Sequence, residues 1–337
     1  MRKFHLFTTN FADLLTRWLA DSLAPPLLRC KIPSMDWKSR RITTLLEAAL
    51  LEDKAANDVT TALTIDPALR ATGTIIAKES CVVAGIGCIS AFLSIFSRMA
   101  AKPGQSPSRF EVVSHPEIFD GVRMRKGQAI AVIRANASSI LSTERVILNL
   151  MQRMSGIATL TNQFVLAVAA AKSKTRIQTK ILDTRKTIPG LRSLDKYAVC
   201  CGGGLNHRHD LQDGILIKNN HISLGGGLPA VLERALAARK PGQLVQIEVR
   251  TDAELGQAIA GGADSLLLDN MTPKEVAHAV KIIRKGLPKA TIEASGNMNL
   301  KTVADYAKTG VDFISVGALT HSAPAVDLSM RISAAAF

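Results

Sequence analysis

Aromatic residues are scarce in this chain: Phe, Tyr and Trp make up 4% of its 337 residues, with only two Trp and two Tyr. A surface that stacks single-stranded bases needs aromatic faces at intervals, so that class of nucleic-acid binder starts disfavoured. No apolar run reaches the roughly 18 residues of a membrane-spanning helix. The alanine-rich stretch from Phe164 to Ala171 is too short, so no membrane association is expected. Cysteine is sparse: Cys30, Cys81, Cys88, Cys200 and Cys201 include no CxxC spacing, and five is odd. That usage predicts free thiols in a reducing, cytoplasmic setting rather than a disulfide framework. Acidic residues are in deficit, 28 Asp and Glu against 42 Lys and Arg, for a net charge of +14. Such an excess suits polyanionic partners: nucleic acid, anionic lipid or phosphorylated metabolites. An apolar content of 47% is ample for a packed core.

The cations that stand out lie between Asp183 and His221. Arg185, Lys186, His207, Arg208, Lys218 and His221 sit in short breaks between apolar or glycine-rich stretches, not along a solvated face. That placement predicts a pocket for a highly charged anion.

Three regions are expected along the chain. Residues 1–40 carry a basic bias, with an amphipathic helix over Phe11 to Leu23 ended by Pro25-Pro26, and read as a poorly ordered extension. Residues 41–157 predict a small α+β unit. It has a helix over Ile42 to Leu51, a turn at Asp58-Val59-Thr60-Thr61, and strands at Ala71–Lys78, Cys81–Gly85, Phe110–Val113 and within Gly121–Ile133. Ser142 to Ala171 reads as one or two long helices with a break at Ser155-Gly156. Residues 158–320 then alternate short apolar strands with helices, the signature of a parallel sheet with right-handed crossovers. The strands are Ile181–Asp183, Gly214–Lys218, Val245–Val249, Ser265–Asp269, Thr291–Ala294 and Phe313–Val316. A glycine-closed helix followed by a buried strand, seen at Gly262 and again at Gly310, is an α/β-barrel rhythm.

Ligands of such barrels bind at the C-terminal ends of the strands. The residues there are Thr184, Arg185 and Lys186, then Lys218, Glu248, Asp269, Ser295-Gly296-Asn297 and Ser315-Val316-Gly317-Ala318. The last two clusters place glycine and small polar residues before helix starts, where free amides can face a phosphate. Glu248 and Asp269 fall on neighbouring strands, where carboxylates bind ribose hydroxyls or hold Mg²⁺ on a pyrophosphate.

These motifs together resemble quinolinate phosphoribosyltransferases, the carboxylating nicotinate-nucleotide pyrophosphorylases. The resemblance runs from about Ile42 to Ile332. It rests on Glu144-Arg145, Ser155-Gly156-Ile157-Ala158-Thr159, the run Asp183 to Arg192, Lys196-Tyr197-Ala198-Val199, and Gly202-Gly203-Gly204 with Asn206-His207-Arg208. Leu216-Ile217-Lys218 with Asn220-His221, Leu268-Asp269-Asn270-Met271, Glu293-Ala294-Ser295-Gly296 and Ser315 to His321 complete it. The family implies the fold of a type II phosphoribosyltransferase: an α/β protein with an N-terminal α+β sandwich domain and an incomplete, open α/β barrel. It also implies that residues 321–337 pack on the first domain, and a homodimer or an assembly of dimers.

The implied substrates are quinolinate and 5-phosphoribosyl 1-diphosphate, with Mg²⁺. Arg145 matches a position that reaches into the partner's site. Thr184, Arg185, Lys186, His207 and Arg208 match the positions lining the substrate pocket, and Lys218 the lysine near the pyrophosphate and reacting centre. Glu248 and Asp269 match the ribose and metal-side carboxylates. Ser295-Gly296-Asn297 and Ser315-Val316-Gly317-Ala318 match the 5-phosphate loops. Lys186, Lys218, Glu248 and Asp269 are the expected catalytic residues. Two positions depart from the pattern: Asn219 replaces an acidic residue, and Arg250 stands where a second Glu is usual. Both are expected to flank the site. Two other readings are a related phosphoribosyltransferase using another pyridine carboxylate, and a nucleic-acid-binding protein drawn by the +14 charge. The second calls for Lys and Arg on an exposed helix face, whereas these cations fall at strand ends.

Overall fold

A computed structural model describes residues 32–101, 103–104, 106–171 and 178–334. The helix expected between Phe11 and Leu23 lies outside them. Trp37, grouped above with the extension, packs against Gly87 and meets the Tyr197 ring edge-on at 6.3 Å and 84°. The compact unit accordingly starts at Ile32 rather than after residue 40.

Twelve strands form among the described residues: β1 (Arg70–Ala77), β2 (Cys81–Val82), β3 (Glu111–Val113), β4 (Arg123–Met124), β5 (Ala129–Asn136), β6 (Lys180–Leu182), β7 (Ile215–Ile217), β8 (Val245–Val249), β9 (Ser265–Asp269), β10 (Thr291–Ser295), β11 (Phe313–Ser315) and β12 (Leu328–Ala334). One antiparallel sheet runs β12-β1-β5-β3, and β2 pairs with β4. Burial alternates residue by residue along β1, so one face of this sheet meets the core and the other does not.

The second sheet is parallel, in the order β6-β11-β10-β9-β8-β7. Its central strands are nearly continuous apolar runs, Ser-Leu-Leu-Leu-Asp in β9 for example, as expected of strands covered on both faces. β6 and β7 do not pair with each other, so the barrel is open. The free edge of β6 is covered by Leu205, which bridges to Leu182 in parallel. That bridge makes the residues after Leu205 a further set at a strand end.

One helix, Ala137–Ala170, joins the sheets and touches both. Its 34 residues span about 50 Å. Two expectations fail here. The helix begins five residues before Ser142, and it does not break at Ser155-Gly156. The small residues there are packing seams. A Cβ on Gly156 would lie 2.0 Å from the Pro324 carbonyl oxygen. The Ser155 hydroxyl accepts from the Ala84 amide at 3.0 Å. Asp58 is likewise not a simple turn residue. It caps the helix Val59–Thr64, accepting from the Thr61 amide at 3.0 Å. The helix Gly87–Met99 went unread, because Cys88, Ile89, Phe92, Leu93, Ile95 and Phe96 bury most of its circumference and blur the 3.6-residue period.

Candidate active site

The C-terminal ends of the six parallel strands and of the Leu205 bridge gather the predicted cations and carboxylates on one rim. Arg185 follows β6, and Arg208 follows Leu205. Both residues are half-buried. Burial first, then the Arg185 charge, hold the Arg208 guanidinium below its usual range. Asp213 gives a smaller opposing pull, and Arg208 reaches the Gly214 carbonyl only at 3.5 Å. The buried Arg185 Nε has no hydrogen-bond partner. Two partly desolvated arginines that repel each other, one with an unpartnered buried donor, make a site suited to an anion.

The Arg208 loop is hung on a buried network. Asp183, the last residue before the β6 rim and fully buried, accepts from the Lys196 ammonium and from the His207 amide at 2.8 Å. Lys196, on the helix Arg192–Cys201, also donates to the His207 carbonyl at 3.0 Å. With its amide oriented to satisfy both neighbours, Asn206 donates to Asp183 Oδ2 at 2.6 Å and to the Lys196 carbonyl at 3.0 Å. Arg153, on the long helix, makes a two-pronged pair with Asp195, the residue before Lys196, at 3.0 and 2.7 Å. Asp183, Lys196 and Glu293 fall within the recognised motifs, but sequence alone assigned them no task, because nothing in it shows which polar residues are buried.

His207 lies beside Arg208 on this loop. Its Nδ1 accepts from the Arg208 amide at 2.7 Å, and its Nε2 lies 3.4 Å from Glu293. His207 thereby helps to set the Arg208 backbone, with its ring edge turned towards Glu293. The Ser315 hydroxyl is buried and donates to Glu293, so any anion contact at this turn falls to its backbone. The Val316 amide is spent on the Leu182 carbonyl at 3.0 Å. The Gly317 and Ala318 amides donate to no backbone carbonyl among the described residues. Lys186 lies against Gly317, where a Cβ would come 3.2 Å from Lys186 Cδ, and its carbonyl accepts from the Thr320 hydroxyl at 2.8 Å. Thr184 also serves structure, accepting from the Lys186 amide at 3.0 Å.

The neighbouring turn is built around left-handed backbone. Gly296 has φ +104° and a Cβ there would lie 2.2 Å from Asn270 Oδ1, so only glycine fits. Asn297 and Asn270 are also left-handed, at +48° and +56°. His221 gains a role: its Nδ1 accepts from the Lys218 amide at 2.9 Å and fixes the backbone from which the exposed Lys218 side chain projects.

Glu248 and Asp269 do lie near each other at the ends of β8 and β9, but not as an open pair. Arg250 bridges them, its Nη2 3.1 Å from Glu248 and 2.8 Å from Asp269, with Nε 2.9 Å from Asp269. Its expected flanking position is therefore wrong: Arg250 is inside the carboxylate cluster. Burial pushes the Glu248 carboxyl up, as does Asp269, while Lys218 and Arg250 pull it down. Arg145 is exposed on the long helix and makes no hydrogen bond or ion pair among the described residues.

Residues 58–155 match the family model for the quinolinate phosphoribosyl transferase N-terminal domain, and residues 157–331 the model for the C-terminal domain of the same family. The chain belongs to the quinolinate phosphoribosyl transferase family. A probable nicotinate-nucleotide pyrophosphorylase (carboxylating) of Bacillus subtilis is 37% identical over 293 residues, covering 87% of this chain and 94% of the relative. A decarboxylating quinolinate phosphoribosyltransferase of Nicotiana tabacum is 38% identical over 304 residues, covering 86% and 81%. Among solved structures, NadC from Streptococcus pyogenes superposes with a TM-score of 0.79 at 34% identity, covering 90% of this chain and all of the other. The Francisella tularensis nicotinate-nucleotide pyrophosphorylase gives 0.75 at 37%, covering 87% and 96%. The α/β fold with a parallel sheet and a separate antiparallel sheet is thus that of this family.

A pH prediction follows from Asp183. Burial pushes its carboxyl up to about 6, against the opposing pull of Lys196 and the His207 amide. The folded chain therefore holds this proton more tightly than the unfolded chain. From this group alone, stability rises, not falls, as pH drops from about 6 towards 4. The neutral acid loses its charge-assisted bonds to Lys196 and His207, and the Arg208 loop loosens. Catalytic efficiency should accordingly fall on the acid side of about pH 6 while far-UV circular dichroism is unchanged. A loss of fold over the same range, or an unaltered limb in Asp183→Asn, would contradict this assignment.

Proposed function

We propose that this chain transfers the phosphoribosyl group of 5-phosphoribosyl 1-diphosphate to quinolinate, releasing pyrophosphate and CO2 and leaving nicotinate mononucleotide. The single observation that carries the reading is the Arg185–Arg208 pair, partly desolvated, mutually repelling and left with an orphaned donor. A planar dicarboxylate supplies two charges and forked acceptors, which match guanidinium geometry.

The chemistry asked of the protein is electrostatic. The pyridine nitrogen attacks C1 of ribose, and the bond from C1 to the diphosphate breaks with its electrons on the leaving group. Lys218 is placed to stabilise that charge, and Glu248 with Asp269 to accept from the ribose hydroxyls. The Ser295-Gly296-Asn297 turn and the Gly317 and Ala318 amides, with Lys186 beside them, hold the 5-phosphate. Each such preorganised donor contributes about 3–4 kcal/mol to the transition state at most. Ribosylation makes the ring nitrogen cationic. The adjacent carboxylate then leaves as CO2, its electrons settling on the carbon beside the charged nitrogen, which takes a proton from water. No group in this route needs to bond covalently to the protein.

Magnesium, expected from the resemblance, finds no ready seat on Glu248 and Asp269, because Arg250 already occupies the space between them. It enters the proposal only as the counter-ion that accompanies the diphosphate. A reducing, cytoplasmic setting fits the thiols of Cys81, Cys88 and Cys201, which form no disulfide. No helix among the described residues is long and apolar enough to cross a membrane.

The rival acceptor is nicotinate, which lacks the second carboxylate. The proposal requires quinolinate to be preferred by at least about a hundredfold in kcat/KM, the worth of one unfilled charged contact. Equal use of nicotinate would overturn it. A homodimer in which Arg145 serves the partner's site explains an exposed, unpaired arginine on a long helix. Co-expressed Arg145→Ala and Lys218→Ala chains, each inactive alone, should then recover about a quarter of wild-type activity, since half the dimers are mixed and carry one complete site. No recovery would contradict the shared site.

A further inference from the structure

Mg²⁺ and Mn²⁺ are held by clusters of carboxylate oxygens that carry net negative charge. The rim pair Glu248 and Asp269 stands close enough to share one partner, but it lacks the net charge of such a cluster. Arg250 places one guanidinium against both: Nη2 lies 3.1 Å from Glu248 Oε1 and 2.8 Å from Asp269 Oδ2, and Nε 2.9 Å from the same Asp269 oxygen. Lys218 stands close enough to act on Glu248 as well. Two carboxylates and two cations leave the cluster without net charge. The Asn270 side-chain amide also donates to Asp269 Oδ2, at 2.9 Å. The Arg250 side chain is half-exposed, but its backbone is anchored. Its backbone amide is fixed by Glu254 at 2.7 Å, at the start of the helix Asp252–Ala260. Among the described residues no group of three or more His, Cys, Asp or Glu gathers here or elsewhere.

We infer that Arg250 is a built-in cation that takes the position a protein-bound divalent ion would need between Glu248 and Asp269, so that the substrate-free chain does not hold a metal there. The carboxylates stay ionised and oriented without one, and a fixed guanidinium supplies a positive charge at the ribose end of the rim. Divalent ions then reach the site only with the diphosphate. A guanidinium suits this task better than an ammonium, because its planar fork spans two carboxylates at once. The inference builds on the proposed reaction for the meaning of the rim, but its test does not use the reaction.

The test is Mn²⁺ binding to the full-length protein without substrates, read as loss of the free-ion signal in electron paramagnetic resonance. Wild type should show no site of one ion per chain at about 0.1 mM Mn²⁺, the weak end of carboxylate sites. Arg250→Glu removes the cation and adds a third carboxylate. It should bind one Mn²⁺ about a hundredfold more tightly, since the local charge changes by two units within a few ångströms of the ion. Arg250→Gln should fall between the two, and it keeps the test valid should the glutamate variant fold poorly. Adding Asp269→Asn to Arg250→Glu should abolish the gain. A wild-type chain that binds one Mn²⁺ as tightly as Arg250→Glu or Arg250→Gln overturns the inference, and so does a gain that survives Asp269→Asn. Either failure leaves the phosphoribosyl-transfer reading standing, because a chain that binds its own metal can still carry out that reaction.

Discussion

Lys196→Met is expected to cost this protein about 3–5 kcal/mol of stability, because it leaves the buried Asp183 carboxylate without its counter-charge. Lys196 and Asp183 are both essentially excluded from solvent, and the ammonium also serves the His207 carbonyl. In a domain of this size the thermal midpoint should drop by about 10 °C. Activity should fall further than stability alone explains, even well below the midpoint, since Asp183 also holds the His207 amide. The double variant Lys196→Met with Asp183→Leu should recover much of the stability, because an apolar pair needs no desolvation of charge, but little of the activity. Thermal unfolding and kcat/KM measured on the same preparations separate the two effects. A shift under about 1 kcal/mol for the single variant would mean that the pair is far better hydrated than its burial implies.

Arg208→Ala and Arg185→Ala are each expected to lower kcat/KM by about a hundredfold to a thousandfold, the usual loss when one preorganised charged donor is removed. The sign of the stability effect is the more discriminating part. The two guanidinium groups repel each other, so removing either from the substrate-free protein should leave the thermal midpoint unchanged or raised. Function here is bought with local strain between like charges. Arg208→Lys should recover little activity, because an ammonium keeps the charge and loses the fork. Losses in the double variant should be well short of the product of the singles, as both groups act on one ligand. If each alanine variant lowered the midpoint by several degrees, the pair would be structural and the site reading wrong.

Much of this arrangement was legible in the residue order. The six parallel strands are legible to within a residue or two because each is a short apolar run bounded by polar or glycine residues, and β8 and β9 match to the residue. Strand ends carry function in such folds, so the rim residues could be named before their geometry was known. Direction of the side chains was not legible. Ser315 and His207 look like ligand groups in sequence, yet both turn inward to Glu293. Nothing local distinguishes an inward from an outward polar residue when the opposing partner is 22 positions away, as Glu293 is from Ser315. The continuous helix through Ser155-Gly156 was hidden for a related reason. The chain that demands small residues there, Pro324–Ala325, is distant in sequence. Arg250 shows the opposite case: it was seen as a departure from the family pattern, but only the three short contacts to Glu248 and Asp269 place it inside the cluster.

The most direct test of the account is the fate of the quinolinate carboxylate next to the ring nitrogen. Purified protein should be given quinolinate labelled at that carboxyl, with 5-phosphoribosyl 1-diphosphate and Mg²⁺, and the labelled CO2 and pyrophosphate counted together. The predicted result is one CO2 for each pyrophosphate, no CO2 when the phosphoribosyl donor is omitted, and loss of both products in Arg208→Ala. Release of pyrophosphate without labelled CO2, or of CO2 without the phosphoribosyl donor, would contradict it.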